Sequence, residues 1–399
     1  MTGGRVVVLG GSSPFAASLL DAFAEAASDL PSLELVLFGR SSANVDLLAR
    51  FGRHRLAPLG WSVLGTTDLS RALHGARIVV HQARYGGLEA RREAERLCAR
   101  FGQIADETLG PAALRTGLLM RPQLERTVAA LSAECPDAWV LNLVNPLGWV
   151  TGFVAERIER CVGLCELPRH TAALAAGICG LRPDEITWDY AGLNHRGFLY
   201  RVRHGDRDLI GDLAQRLGDS TVNGFAASDI TALVAIPLKY FSLVRGAMRP
   251  ALGRADFLID LRSRILAELR SSVEHLPLAL VDRDQPWYPD AVVPALRALL
   301  GNEPAELVVN VVAEDGLVEE MKVVIGADGM RASARAEPPH PVSHWIERFH
   351  SHERAVFAAL RQPTEARIAA ALRLDPMVPA GPIDDLARAL LVEVPRCAA

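Results

Sequence analysis

No apolar run in this sequence approaches the roughly 18 to 20 residues that a membrane-spanning helix needs. Its amino-terminal apolar segment leads into glycines and serines and not into a signal-peptide cleavage site, so a cytoplasmic protein without a membrane partner is expected. A dense basic tract is missing too: 43 Lys and Arg are spread along the chain against 47 Asp and Glu, for a net charge of −4, which argues against nucleic acid as a partner. The six cysteines (Cys98, Cys135, Cys161, Cys165, Cys179 and Cys397) fall in no CxxC spacing. A zinc ribbon and a disulfide framework are thereby excluded, and mostly buried thiols are expected. Repeats and low-complexity linkers are also lacking. What is present is 399 residues, enough for two domains and a substantial core.

From residue 5 to about 165, strand-like runs alternate with amphipathic segments: RVVVLG, a helix over 15–28, LELVLF, a helix over 43–52, ARIVVHQA at 76–83, a helix over 112–133, AWVLNLV at 138–144, a helix over 148–159 and CVGLC at 161–165. Parallel strands need crossovers long enough for a helix, so this alternation predicts an α/β fold with a Rossmann-like, doubly wound parallel sheet. Beyond ITWDYAGLNH (186–195) the pattern turns helical, over 256–274, 288–301, 343–361, 364–373 and 384–392, interrupted by a hairpin at 305–329 around Glu314-Asp315-Gly316. The expected division is a dinucleotide-binding domain over 1–195 and a mainly helical α+β domain for substrate and oligomerisation over 196–399. The crevice between them is the default ligand site.

In GGSSPF, Gly10 and Gly11 permit a tight turn near a phosphate, and Ser12 and Ser13 place hydroxyls and amides at the start of the next helix, where the dipole favours an anion. The motif is not GxGxxG, and a plain turn reads equally well. At the end of the second strand, where an acidic residue usually accepts the ribose 2′-hydroxyl, stand Gly39, Arg40, Ser41 and Ser42. A guanidinium with hydroxyls suits a 2′-phosphate better, which favours NADP over NAD; the alternative is that Arg40 is a solvated surface residue.

The segments QARYGGLEARREAERLCARFGQIADETLGPAALRT (82–116), NLVNPLGWVT (142–151), VGLCELP (162–168), YAGLNHRGF (190–198) and, more weakly, HERAVFAALRQPTEARIAAAL (352–372) form an ordered series over most of the chain. In this series the chain resembles glycoside hydrolase family 4, the NAD- and metal-dependent phospho-glycosidases. The resemblance implies a divalent metal, usually manganese, on Cys165 and His195. It also implies oxidation of the sugar C3 hydroxyl by the nicotinamide, deprotonation at C2, elimination at C1 and reversal with water. A thiolate with an imidazole can hold such an ion, although each residue taken alone reads as core. The same resemblance gives substrate contacts to Arg91, Asn145 and Asn194, a place near the site to Glu107, and the C2 base to Tyr240 in AIPLKYFSLV. A phenol of ordinary pKa near 10 serves as a base only if a metal or cation lowers it. Homodimers or homotetramers are the family's usual assemblies.

The chain departs from the family around substrate and leaving group. Glu166 follows the ligand Cys, the ribose acid is absent, Asp106 replaces a Gln, and DRDQPW (282–287) keeps only Arg283 of an RGGA-like segment. Glu166 could act as general acid, add an oxygen ligand or have no role. Three readings follow: a glycosidase acting on a phospho-sugar; a sugar or nucleoside dehydrogenase or dehydratase using the same oxidation and elimination; and an inactive nucleotide-binding relative. The retained Cys165 and His195 speak against the third.

Overall fold

The computed structural model describes residues 4–246, 253–301, 303–379 and 381–392; Cys397 lies outside them. The strands are β1 (Arg5–Leu9), β2 (Glu34–Phe38), β3 (Ser62–Thr66), β4 (Ala76–His81), β5 (Trp139–Asn142), β6 (Cys161–Leu164), β7 (Thr187–Leu193), β8 (Arg196–His204), β9 (Arg207–Asp208), β10 (Thr221–Val222), β11 (Phe225–Ala226), β12 (Ile236–Pro237), β13 (Ala305–Val312), β14 (Val318–Gly326) and β15 (Gly329–Ala332). The helices are α1 (Ala16–Glu25), α2 (Ser42–Leu56), α3 (Leu69–Leu73), α4 (Gly87–Arg100), α5 (Gly110–Glu134), α6 (Leu147–Ala155), α7 (Leu167–Ile178), α8 (Ile210–Leu217), α9 (Ala227–Leu233), α10 (Phe241–Val244), α11 (Arg254–Ser271), α12 (Val293–Leu300), α13 (His340–Arg361), α14 (Glu365–Leu374) and α15 (Ile383–Leu391).

The parallel strands β3-β2-β1-β4-β5-β6 lie in the order of a doubly wound dinucleotide-binding sheet, as expected. Their interiors are β-branched and aliphatic because both faces are covered; Val6, Val7 and Val8 of β1 have no exposed surface. The order reverses between β1 and β4, which opens a crevice beyond their carboxyl ends.

The second half differs from expectation in one respect: it contributes more than a hairpin. Strand β13 pairs antiparallel with β6, and β14, β7, β8 and β12 continue the same sheet, which has 13 strands in all. The hairpin of β7 and β8 spans position 195, so the sheet itself runs across that position. Strand β3 and helices α3 and α7 were also absent from the expected series. β3 carries only Val63 as a buried side chain, which is too little alternation to announce an edge strand. Among the described residues, no helix is long and apolar enough to cross a membrane. Cys98, Cys135, Cys161 and Cys165 are buried free thiols, and Cys179 is half-buried.

Candidate active site

A cleft of about 1560 Å³ runs along the carboxyl ends of the parallel strands and under the second half of the chain. It is lined by Gly10, Ser12, Ser13, Arg40, Ser41, Arg91, Glu107, Asn145, Cys165, Glu166, Asn194, His195, Tyr240 and Arg283. Of the cofactor and site residues singled out in the sequence, Gly11 and Ser42 do not line it. The role of Gly11 is packing: a Cβ there would meet the Leu37 Cβ at 2.7 Å, and its amide donates to the Phe38 carbonyl at 2.7 Å.

At one end, β1 leads through Gly10, whose φ of +100° and whose approach to the Gln82 carbonyl, 2.8 Å from a built Cβ, both require glycine. The Gly10 amide also donates to the Phe38 carbonyl, at 3.0 Å, so Ser12 and Ser13 are the groups at the mouth of α1. Gly39 lies against Ser12: a Cβ on Gly39 would stand 2.3 Å from both the Ser12 Cβ and Oγ. Arg40 is exposed and Ser41 caps α2, its Oγ accepting from the Asn44 amide at 3.4 Å.

In the middle of the cleft Glu107 gathers arginines. Its carboxylate bonds the Arg84 guanidinium and pairs with Arg91 Nη1 at 2.8 Å, while Arg91 Nε pairs with Glu95 at 2.8 Å. Burial pushes the Glu107 carboxyl up, but Arg84, Arg91 and Arg283 outweigh it and bring the pKa down to about 2. Glu107 is therefore an anion that organises guanidiniums, unsuited to carrying a proton at neutral pH. Arg283 lies over the Phe15 and Trp287 rings, at 4.5 and 5.2 Å, and burial with the neighbouring Arg84 lowers its pKa to about 10. Arg84 and Arg254 also line this region. Arg84 lies in the QARYGG segment that carries the family resemblance but was given no role there, and Arg254 starts a helix with no flanking motif.

At the other end, Cys165 follows β6 and His195 sits in the turn between β7 and β8 with φ +63°. The Nδ1 of His195 is buried with no hydrogen-bond partner. Burial, with the positive charges of Lys239 and Arg196, drives its pKa down to about 3, so the imidazole is neutral. Burial and the nearby Glu320 and Glu166 push the Cys165 thiol well above its ordinary range, while Asn194 hydrogen-bonds it. The Tyr240 ring stacks on His195, 4.3 Å between centroids and 4° between planes, and Lys239 Nζ lies 5.2 Å from the Tyr240 centroid. Burial, together with Asp106, Cys165 and Glu107, raises the Tyr240 phenol above its ordinary value. Glu166, at the start of α7, is pushed up by burial, with Lys239 and His170 opposing. Asp106, the departure from the family's Gln, accepts from the Thr108 and Leu109 amides at 2.8 and 3.1 Å and so fixes the entry to α5.

A neutral imidazole with an open nitrogen is a donor state that a divalent ion takes up, whereas the Cys165 thiol becomes a donor only on losing its proton, which burial opposes and a bound dication would favour. Among the described residues no group of three or more His, Cys, Asp or Glu is placed to hold a metal. Behind Cys165 and His195 lies Glu320 of β14, with no exposed surface and a carboxyl pushed up to about 7 by burial against hydrogen bonds from Tyr190, Asn310 and Asn194.

A doubly wound sheet whose crevice opens onto a thiol, an imidazole, a tyrosine and an arginine cluster has the architecture of a dinucleotide-binding enzyme. Residues 5–180 match the model of the Family 4 glycosyl hydrolases and residues 190–378 that of their C-terminal domain; the chain belongs to this family. It is 24% identical over 426 residues to a probable 6-phospho-beta-glucosidase of Bacillus subtilis, covering 98% of this chain and 95% of that protein. It is 26% identical to the 6-phospho-beta-glucosidase of Escherichia coli, covering 86% and 83% of the two chains. The structure of the 6-phospho-beta glucosidase from Thermotoga maritima with manganese, NAD+ and glucose-6-phosphate shares the fold, with a TM-score of 0.85, 21% identity and 97% of each chain covered.

Proposed function

We propose that this chain is an NAD(P)- and divalent-metal-dependent glycosidase that cleaves a phosphorylated sugar glycoside by oxidation at C3, deprotonation at C2 and elimination of the C1 substituent. The observation that carries the reading is the meeting of the buried Cys165 thiol and the unpartnered His195 Nδ1 in the same cleft as the β1–α1 glycine turn. Bound NAD(P) and manganese would supply a hydride acceptor for the C3 hydroxyl and the polarisation that acidifies the neighbouring C–H.

This chain's residues supply the rest. Ser12 and Ser13 receive the cofactor pyrophosphate at the start of α1. Arg84, Arg91, Arg254 and Arg283 concentrate positive charge where a phosphate dianion would sit, and Glu107 holds the first two in place. Asn145 and Asn194 address sugar hydroxyls. Tyr240 takes the C2 proton; Lys239 beside its ring supplies the positive charge that eases phenol ionisation, which is uphill while the site is empty. Glu166, kept protonated more readily by burial, gives its proton to the leaving group.

The test is a screen of nitrophenyl glycosides of 6-phospho-sugars in deuterated buffer with Mn2+, reductant and NAD or NADP. Release of nitrophenol without net cofactor reduction, with deuterium at C2 of the sugar, is expected. Accumulating NAD(P)H would instead identify a dehydrogenase, and a protein that turns over neither these compounds nor nucleosides would overturn the reading.

A further inference from the structure

Among the buried charged groups that the proposed chemistry leaves unused, Glu320 stands out. Glu320 has no solvent-accessible surface, and its carboxylate accepts from three neutral donors: the Tyr190 hydroxyl, Asn310 Nδ2 at 2.9 Å and Asn194 Nδ2 at 3.4 Å. Among the described residues no Lys, Arg or His forms an ion pair with it. A carboxylate removed from water and left without a counter-charge is costly, and proteins keep such groups where a cation sits nearby or where they ionise only when one arrives.

The register of the sheet shows where that cation would be. Glu320 lies opposite Asn310 on one side and Gly192 on the other, and Asn310 lies opposite Gly163. Gly163 is two residues before Cys165, and the Glu320-bonded Asn194 is the residue before His195. Four neighbouring strands thus join one carboxylate to the segments that carry both proposed metal donors. We infer that Glu320 is a positioning residue for the divalent ion, a buried counter-charge that raises the affinity of the Cys165–His195 site for a dication and holds the Asn194–His195 turn towards it.

The inference rests on the metal reading of the proposed function. With an ion bound, the Cys165 thiolate and the Glu320 carboxylate together would offset the two charges of the dication. The carboxylate needs no direct contact with the ion, because in an interior of low polarisability the attraction extends over several ångströms.

The experiment measures Mn2+ binding to the full chain by the spin-resonance signal of free Mn2+, in wild type and in Glu320→Gln, Glu320→Asp and Cys165→Ser, with NAD(P) affinity measured on the same samples. Glutamine keeps the shape and removes the charge; aspartate keeps the charge and withdraws the hydrogen bonds. The expected result is Mn2+ affinity lowered about 10- to 100-fold in Glu320→Gln, within a few-fold of wild type in Glu320→Asp, and NAD(P) affinity changed less than twofold in both. The opposite order, with aspartate the weaker binder, or equal losses in both, would reduce Glu320 to a packing role and overturn the inference. Unchanged Mn2+ affinity in both overturns it too. If only one variant folds, unchanged Mn2+ affinity in Glu320→Gln, or a loss of about tenfold or more in Glu320→Asp, overturns the inference. Failure of the metal reading looks different: wild type takes up no Mn2+, or Cys165→Ser binds it as tightly as wild type.

Discussion

Installing the missing ribose acid tests how the cofactor end of the cleft is built. In many dinucleotide folds an Asp at the end of the second strand confers preference for NAD, so Gly39→Asp is the obvious change for shifting specificity. The structure predicts that it fails. Any side chain at position 39 places a Cβ 2.3 Å from the Ser12 Cβ and Oγ and 2.7 Å from the Ser12 amide. Ordinary contact begins about 1 Å further out, so the β1–α1 turn must move. Overpacking of this kind costs roughly 1–3 kcal/mol, and the displaced turn carries Ser12 and Ser13, the groups proposed to receive the cofactor. If the strain falls mainly on the bound state, affinity drops by up to about two orders of magnitude. The assay is fluorescence titration with NADH and NADPH, with thermal melting alongside, on wild type, Gly39→Asp and Gly39→Ala. Both cofactors weaken in both variants, because the clash comes from the Cβ that they share. Ser12→Gly in the Gly39→Ala background recovers part of the loss, since the amide contact remains. A Gly39→Asp protein that melts like wild type and binds NADH more tightly would refute the reasoning.

Three further outcomes follow from the same geometry. Arg40→Ala lowers NADPH affinity about tenfold, the contribution of one exposed charge-assisted contact, and leaves NADH within twofold in the same titration. Tyr240→Phe lowers kcat about 10²- to 10⁴-fold while Mn2+ and cofactor binding persist, as expected for a proton-transfer group. His81 has no exposed surface, its Nε2 lies 2.8 Å from the Tyr85 hydroxyl, and burial lowers its pKa to about 4 from 6.5. Its contribution to stability is full above about pH 6.5 and is lost as pH falls through 4, roughly 3 kcal/mol in all. Urea denaturation across that window should show a shallower acid loss in His81→Gln.

Much of the cofactor half was legible because fully buried parallel strands write continuous β-branched runs such as RVVVL and ARIVVH, separated by helices of the required length. The glycine turn was legible for the same reason: only glycine tolerates the φ and the approach found at Gly10. The second half was harder to read. Strand β8 mixes Arg201 and Arg203 with Phe198, Leu199, Tyr200 and Val202, so its apolar pattern is interrupted, and its partner on the other edge, β12, lies some way along the chain, so local pattern gave little account of its pairing. The candidate site followed the same division. Cys165, His195, Arg91 and Tyr240 could be placed through ordered motifs, and the structure brings them to one cleft. Arg84 lay within the QARYGG motif without being given a role, and Glu320 had no motif at all, being one of two adjacent glutamates in VEEMKVVIG whose alternation does not say which one enters the interior.

The central claim is that Cys165 and His195 hold a divalent ion in the cofactor cleft, and equilibrium Mn2+ binding under reducing conditions tests it most directly. The account predicts one Mn2+ per chain in wild type, loss of that site in both Cys165→Ser and His195→Ala, and cofactor binding retained in each. Mn2+ bound with unchanged stoichiometry and affinity in both variants would contradict it.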